Sequence, residues 1–383
     1  MLLNVDFDNR YKKVREKMEL EEMEAVVATC YPAVVYLTGA FFTPYRPGVA
    51  VIVTKQEIQL IVRALDIDRL SHECHISNVK GYNPFFKPME VLVVESIKEL
   101  NVPVGKIGFE IPPEQTWGMW SPTSFKRIEE SLSEYSLVDA SKLFSEITIV
   151  KEEVEIQNLR QAAAICDIGF ETSLDIIKPG ISEREVAAEA EMAMKKAGAD
   201  YFVVGATVAS GFRAAYLDAG EPTCTSKIIQ RGDIVHLDFT PVYNNYMGDA
   251  LRMIAVGSPS SEQQKLADDV EEIFNYEIEL IKPGVKISEV SRKVRELKKK
   301  KGYGERTTWH DGHGLGIPPR NIPHIEPTED REFCENMCFA IVVQIHPPER
   351  VGGMGLESPV IIRKDGPEIL TRTPNTLLKA RNS

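Results

Sequence analysis

Paired cysteines, positive charge and long apolar runs are all scarce in this 383-residue chain. Its six cysteines (Cys30, Cys74, Cys166, Cys224, Cys334 and Cys338) include no C-x-x-C pair. That spacing argues against a disulfide framework or a zinc knuckle and predicts buried thiols in a reducing compartment. Lysine and arginine number 45 against 57 aspartates and glutamates, a formal charge of −12. This is the wrong sign for a surface that attracts phosphate backbones, so no nucleic-acid partner is expected. No apolar stretch approaches the roughly 20 residues that cross a bilayer, so no membrane partner is expected either. Met1-Leu-Leu-Asn runs straight into Asp6, Asp8 and Arg10, without the ordered charged, apolar and cleavage regions of a leader. A soluble, cytoplasmic protein is the expectation.

What is present is enough chain for two domains at about 150 residues each. Helical periodicity over Asn9 to Leu20 is followed by a strand-like Ala25-Val-Val-Ala-Thr. Further β-rich pieces lie at 49–53, 58–62 and 106–109, with helical runs near 89–100 and 122–132. The alternation predicts an α/β domain over 1–147. A long Ala-rich helical stretch then opens a second domain over 148–383.

The second domain contains an internal echo: Ile177-Lys-Pro-Gly-Ile-Ser-Glu is answered by Ile281-Lys-Pro-Gly-Val-Lys-Ile-Ser-Glu. Each copy reads as a helix stopped by Pro-Gly, followed by a Ser-led amphipathic helix and then by strand-like segments. Pro-Gly helix ends are common, so the echo has a plain explanation. The alternative is a duplicated α+β half, two of which would face each other and leave a ligand cleft.

Three segments carry candidate metal ligands. Asp238 and Asp249 flank Tyr243-Asn-Asn-Tyr246, and a hairpin there would set two carboxylates side by side, an arrangement that invites a divalent cation. His313 stands in Gly312-His-Gly-Leu-Gly316, where glycines would let the backbone approach a ligand and expose the imidazole. Glu357 heads the strand-like run Ser-Pro-Val-Ile-Ile. Each residue alone has an ordinary reading as a turn, edge or surface group. Two Asp, one His and one Glu together would satisfy a two-metal carboxylate site.

These residues, in this order, resemble the creatinase, aminopeptidase P and prolidase family over nearly the whole chain. The resemblance rests on Asn9-Arg10 to Tyr36-Leu-Thr-Gly39, the Val150-Lys-Glu-Glu153 helix start and Gly232-Asp-Ile-Val-His-Leu-Asp238. It continues through Asp249 with Arg252, the His313 glycine segment, and Glu357 ahead of Asp365-Gly-Pro-Glu-Ile-Leu-Thr371. It implies an α+β pita-bread catalytic domain of two pseudo-symmetric halves behind a smaller creatinase-like α/β domain. It also implies one or two divalent ions (manganese, cobalt or zinc), with Asp238 a terminal ligand, Asp249 and Glu357 bridging, and His313 on the other ion. The implied reaction is hydrolysis of a small dipeptide by metal-activated water, and the implied assembly is a homodimer. Trp117 and Trp120 would belong either to that dimer surface or to a local core cluster.

The sequence departs from the family at three places. The strand expected to hold a further Glu reads Met337-Cys-Phe-Ala-Ile-Val342-Val-Gln344-Ile-His346, which puts Val342 in place of the Glu when counted from Met337. Residues 342, 344 and 346 share a strand face, so Gln344 or His346 would enter the site, with His346 the better ligand. Leu217 or Asp218 stands where one family histidine is expected, and Arg320 near the place of another. Arg320 would hold a substrate carboxylate, and His324 would handle protons from a shifted register. With His346 these are the candidate catalytic residues. An Xaa-Pro dipeptidase is the leading reading. Its alternatives are a non-peptide amidohydrolase like creatinase or ectoine hydrolase, a lyase on the same scaffold, and a catalytically silent pita-bread binding protein. Lys298 to Lys301 reads as a solvated helix end.

Overall fold

The computed structural model describes residues 5–42, 48–111, 120–215, 223–304, 306–319, 321–346 and 352–383. Backbone proximity divides the chain into two units, Met1–Thr148 and Ile149–Ser383. In the first, strand and helix alternate as the periodicity predicts: α1 (Phe7–Leu20), β1 (Met23–Ala28), α2 (Tyr31–Thr38), β2 (Ala50–Thr54), β3 (Ile58–Arg63) and α3 (Ile67–Glu73). They continue with β4 (Val79–Tyr82), α4 (Met89–Glu99), β5 (Lys106–Phe109), α5 (Pro122–Ser131), β6 (Ser136–Asp139) and α6 (Ser141–Ile149). The strands form one mixed sheet in the order β4-β3-β2-β1-β5-β6. Trp120 packs edge-on against Phe109 at 5.9 Å, within this unit's core; Trp117 lies outside the described residues.

The second unit repeats a helix pair followed by strands. The first half comprises α7 (Glu153–Ile176), α8 (Glu183–Lys196), β7 (Tyr201–Phe202), β8 (Thr207–Ser210), β9 (Ile234–Phe239), β10 (Pro241–Tyr243), β11 (Tyr246–Met247) and β12 (Ala250–Ala255). The second comprises α9 (Ser261–Leu280), α10 (Ile287–Lys300), β13 (Gly312–Gly314), β14 (Asn321–Ile325), β15 (Cys338–Ile345) and β16 (Met354–Arg363), closed by β17 (Gly366–Ile369) and β18 (Leu378–Lys379). The main sheet runs β14-β13-β15-β16-β12-β9-β8 and is antiparallel throughout that path. This is the curled antiparallel sheet of a pita-bread domain.

The echo is structural as well as sequential. Ile177 and Ile281 are both C-caps in extended conformation, and Gly180 and Gly284 both take positive φ, 100° and 84°. The Gly180 amide donates to the Ile229 carbonyl as the Gly284 amide donates to that of Phe333. The copies differ at the second helix start. Ser182 caps α8 in a capping box, whereas Ser288 is buried inside α10, whose N-cap is Lys286. The extra residue pair in the second copy moves the helix start upstream of its serine.

Each helix pair covers one face of the sheet. Val235, Leu237 and Phe239 pack with Cys166 and Phe170 of α7 and with Val186 of α8, the Phe170 and Phe239 rings stacking at 4.9 Å. Phe339, Ile341 and Val343 pack with Val270, Ile273 and Phe274 of α9 and with Val290 of α10. Side chains alternate along a strand, so Asp238, His236, Val342 and Gln344 point to the other, inner face. Burial of each large apolar side chain contributes about 1.5–3 kcal/mol, which holds that register and fixes what faces inward.

One expectation fails at the end of α10. Lys298 is fully buried, donating from Nζ to Asp311 Oδ1 at 2.7 Å, and Lys301 bridges Asp269 and Glu272. Helical spacing turns Lys298 onto the same face as Val294, Ser291 and Val290, toward the core, so only Lys299 and Lys300 are solvated. Asp311 Oδ2 also accepts from Ser291 Oγ and Arg295 Nε. This buried ionic cluster anchors the start of β13. Removing one partner of such a pair is costly because the other charge remains buried. Lys298→Met is therefore expected to lower unfolding free energy by about 3 kcal/mol in urea denaturation; a loss well under 1 kcal/mol would show that the pair does not hold β13.

Candidate metal centre

Asp249, His313 and Glu357 are buried and bring three potential ligand atoms within 4.8 Å of one another. They reach this point from three parts of the sheet. Glu357 lies on β16 opposite Leu251 of β12, and Asp249 stands two residues before Leu251. His313 lies on β13 opposite Ala340 of β15. His313 Nε2 is 3.4 Å from Asp249 Oδ2 and 3.6 Å from Glu357 Oε1.

The surroundings hold these groups in a ligand-ready state. His313 Nδ1 lies 3.0 Å from the Gly314 carbonyl, which can only accept, so Nδ1 carries a proton and Nε2 is the ring atom left to ligate a cation. Arg252 braces the carboxylate strands from the helix side: Nη1 donates to the carbonyls of Leu251 and Glu357, and Nη2 to Ser358, Thr371 and the Thr373 carbonyl. Burial pushes the Arg252 guanidinium down to about 10, which leaves it cationic at neutral pH.

The glycines act differently from the sequence expectation. A Cβ on Gly312 would stand 2.7 Å from the Ala340 carbonyl oxygen, and one on Gly314 2.6 Å from that of Ile322. They admit neighbouring backbone around β13. Gly248 does the same for α7, its absent Cβ lying 2.6 Å from the Ala162 carbonyl oxygen.

Two oxygens and one nitrogen at these spacings fit a single divalent cation at ordinary ligand distances of about 2.0–2.2 Å. The donor set of carboxylates and neutral imidazole suits a first-row metal.

The remaining expected site residues fall at several places. Asp238 lies on β9 opposite Leu251, in the same cross-strand row as Glu357. It does not sit in a simple hairpin with Asp249, because Asn244 and Asn245, at φ 48° and 69°, turn β10 into β11 in a separate three-stranded sheet. Val342 stands directly opposite Glu357, in the place where the family resemblance expects a Glu. The structure does not bring His346 to the trio. It lies four residues beyond Val342, about 13 Å at the usual strand rise, with Nδ1 donating to the Ala215 carbonyl at 2.9 Å. His324 pairs with His313 in register, and its ring stacks on His310 at 5.7 Å. Arg320, Leu217 and Asp218 lie outside the described residues.

Sequence reasoning missed His310 and His236. His310 is buried, with its ring edge-on to His313 at 5.7 Å; its place three residues before the ligand was the available signal. His236 lies two residues before Asp238 on the same face, and burial first, with the charge of His346 second, pushes its imidazole down to about 3.

Residues 157–364 match metallopeptidase family M24, and residues 10–150 match the creatinase/prolidase N-terminal domain. An Xaa-Pro dipeptidase of Pyrococcus horikoshii is 29% identical over 373 residues, 97% of this chain and 99% of that protein. An uncharacterized peptidase of Bacillus subtilis is 31% identical over 275 residues, 72% of this chain and 75% of that protein. Among solved structures, an Xaa-Pro dipeptidase from Bacillus anthracis superposes with a TM-score of 0.86 at 27% identity, covering 98% of this chain and 100% of that one. A Pyrococcus horikoshii prolidase gives 0.84 at 26%, covering 96% and 99%.

Asp249 reaches the trio from the position just before β12, and its replacement by an amide removes charge as well as a ligand atom. Asp249→Asn is expected to lower manganese affinity at least a hundredfold by isothermal titration calorimetry while leaving the thermal transition of the metal-free protein in place. Undiminished affinity would remove Asp249 from the site.

Proposed function

The chain belongs to metallopeptidase family M24, and from that premise we propose that it hydrolyses a dipeptide at the bond before proline. It is a metal-dependent hydrolase, and the proposed ion is manganese, cobalt or zinc held by Asp249, His313 and Glu357. The buried trio is the observation that carries this reading. A divalent cation there supplies Lewis acidity, polarising a carbonyl and activating water.

The chain's own residues prepare that chemistry. Gly314 fixes the His313 tautomer, and Arg252 holds the strands of Asp249 and Glu357 at one spacing. His324, beside His313, is the group we assign to proton transfer, with Asp238 contributing negative charge from the adjoining row. Arg320 is assigned to the substrate carboxylate, as a rigid donor fork. His346, with Nδ1 donating to Ala215, has Nε2 as the ring atom for accepting a proton.

Val342 opposite Glu357 supports one ion rather than two, because a pair of ions would lack one of the carboxylate ligands that the family resemblance implies. The same residue favours a second reading, hydrolysis of a non-peptide amide, since the proton acceptor expected at that position is absent.

Elemental analysis of protein exposed to each metal, with an Ala-Pro hydrolysis assay on the same samples, tests the proposal. About one equivalent with turnover that a chelator abolishes is expected. Metal without turnover moves the substrate to a non-peptide amide, and neither metal nor turnover sinks the reading. Val342→Glu is expected to raise the bound metal from about one equivalent to about two; an unchanged count would contradict the role given to this position.

A further inference from the structure

Two side chains beside the metal trio carry buried polar atoms with no hydrogen-bond partner: Nδ1 of His236, 2% exposed, and Oε1 of Gln344, 4% exposed. Leaving such an atom unsatisfied costs about 1–3 kcal/mol. Neither residue is needed to fill the apolar core, which lies on the other face of both strands.

Strand pairing places the two in one row. His236 is opposite Met253, and Gln344 is opposite Gly355. Continuing the Leu251–Glu357 pairing by two residues on each strand aligns Met253 with Gly355. The row His236–Met253–Gly355–Gln344 thus runs alongside Asp238–Leu251–Glu357–Val342, about 7 Å away along the strands. The missing side chain of Gly355 matters here. Its Cβ would stand 2.9 Å from Gln344 Cγ and 3.3 Å from Leu251 Cδ2, so Gln344 leans over Gly355 on the same face as Glu357.

The chemistry of the row selects its ligand. It holds an imidazole, a thioether, a glycine and a carboxamide, and no lysine or arginine. The adjoining row holds two carboxylates, Asp238 and Glu357, which would repel an anion. A carboxamide suits it, because an amide both donates and accepts and pairs two-sidedly with Gln344.

We propose that His236 and Gln344 form a substrate subsite for an uncharged carboxamide side chain on the residue preceding the scissile bond. This rests on the peptidase reading of the neighbouring trio, and the test separates the two. Free L-glutamine and L-methionine, which are similar in length and cannot be hydrolysed, are titrated calorimetrically into metal-loaded protein. In parallel, kcat/KM is measured for Gln-Pro and Met-Pro.

L-Glutamine is expected to bind about tenfold more tightly than L-methionine, the discrimination of a single neutral hydrogen bond or somewhat more. In Gln344→Met, and independently in His236→Phe, that ratio should fall to within about twofold; Gln344→Met conserves volume and keeps the test open if His236→Phe does not fold. Equal binding of the two amino acids by the unaltered protein overturns the subsite, as does a ratio unchanged in Gln344→Met. A glutamine preference in binding without dipeptide turnover supports the subsite and removes the peptidase reading. Turnover of both dipeptides at equal kcat/KM supports that reading and removes the subsite.

Discussion

Two carboxylates withdrawn from water on neighbouring strands repel each other unless positive charge lies between them. Asp249 and Glu357 are in that position, with the His313 imidazole rather than a lysine or arginine closing the trio. Burial of uncompensated charge is among the largest penalties a fold can carry. A cation of two positive charges offsets it, and the same electrostatics that make the empty arrangement unfavourable make the loaded one bind tightly.

The scaffold around the trio is organised to resist that repulsion before an ion arrives. Arg252 contributes a buried positive charge and six hydrogen bonds from behind the strands. Asp311, two positions before His313, is anchored by Ser291, Arg295 and Lys298. Gly312 and Gly314 let β14 and β15 close on β13 without a steric gap. Positioning therefore comes from rigid sheet and helix rather than from loops, which suits a site whose ligands must hold their spacing.

Much of this was legible in the sequence, for identifiable reasons. Asp249, His313 and Glu357 were visible because each sits beside glycine or at the head of a strand-like run. The two-half architecture was visible because its Pro-Gly helix ends repeat. Val342 was visible by counting from Met337, and the pairing with Glu357 gives that count its meaning. Other features depend on which side chain faces which. Lys298 looked solvated because its run is basic, yet its helical face points to Asp311. His346 looked like a ligand because it shares a face with Val342, but a shared face fixes direction and not distance along the strand. Gln344 was legible as a side chain on the face of the missing Glu, but the unpartnered atoms of His236 and Gln344 carried no signal, since such an atom exists only once every neighbour is placed.

One divalent cation is proposed to occupy the space among Asp249, His313 and Glu357. Anomalous diffraction at the manganese edge from crystals of manganese-loaded protein tests it most directly. A single anomalous peak is expected within ordinary ligand distance of His313 Nε2 and of both carboxylates. A protein that diffracts well with no peak at that point, or with its only peak elsewhere, would contradict it.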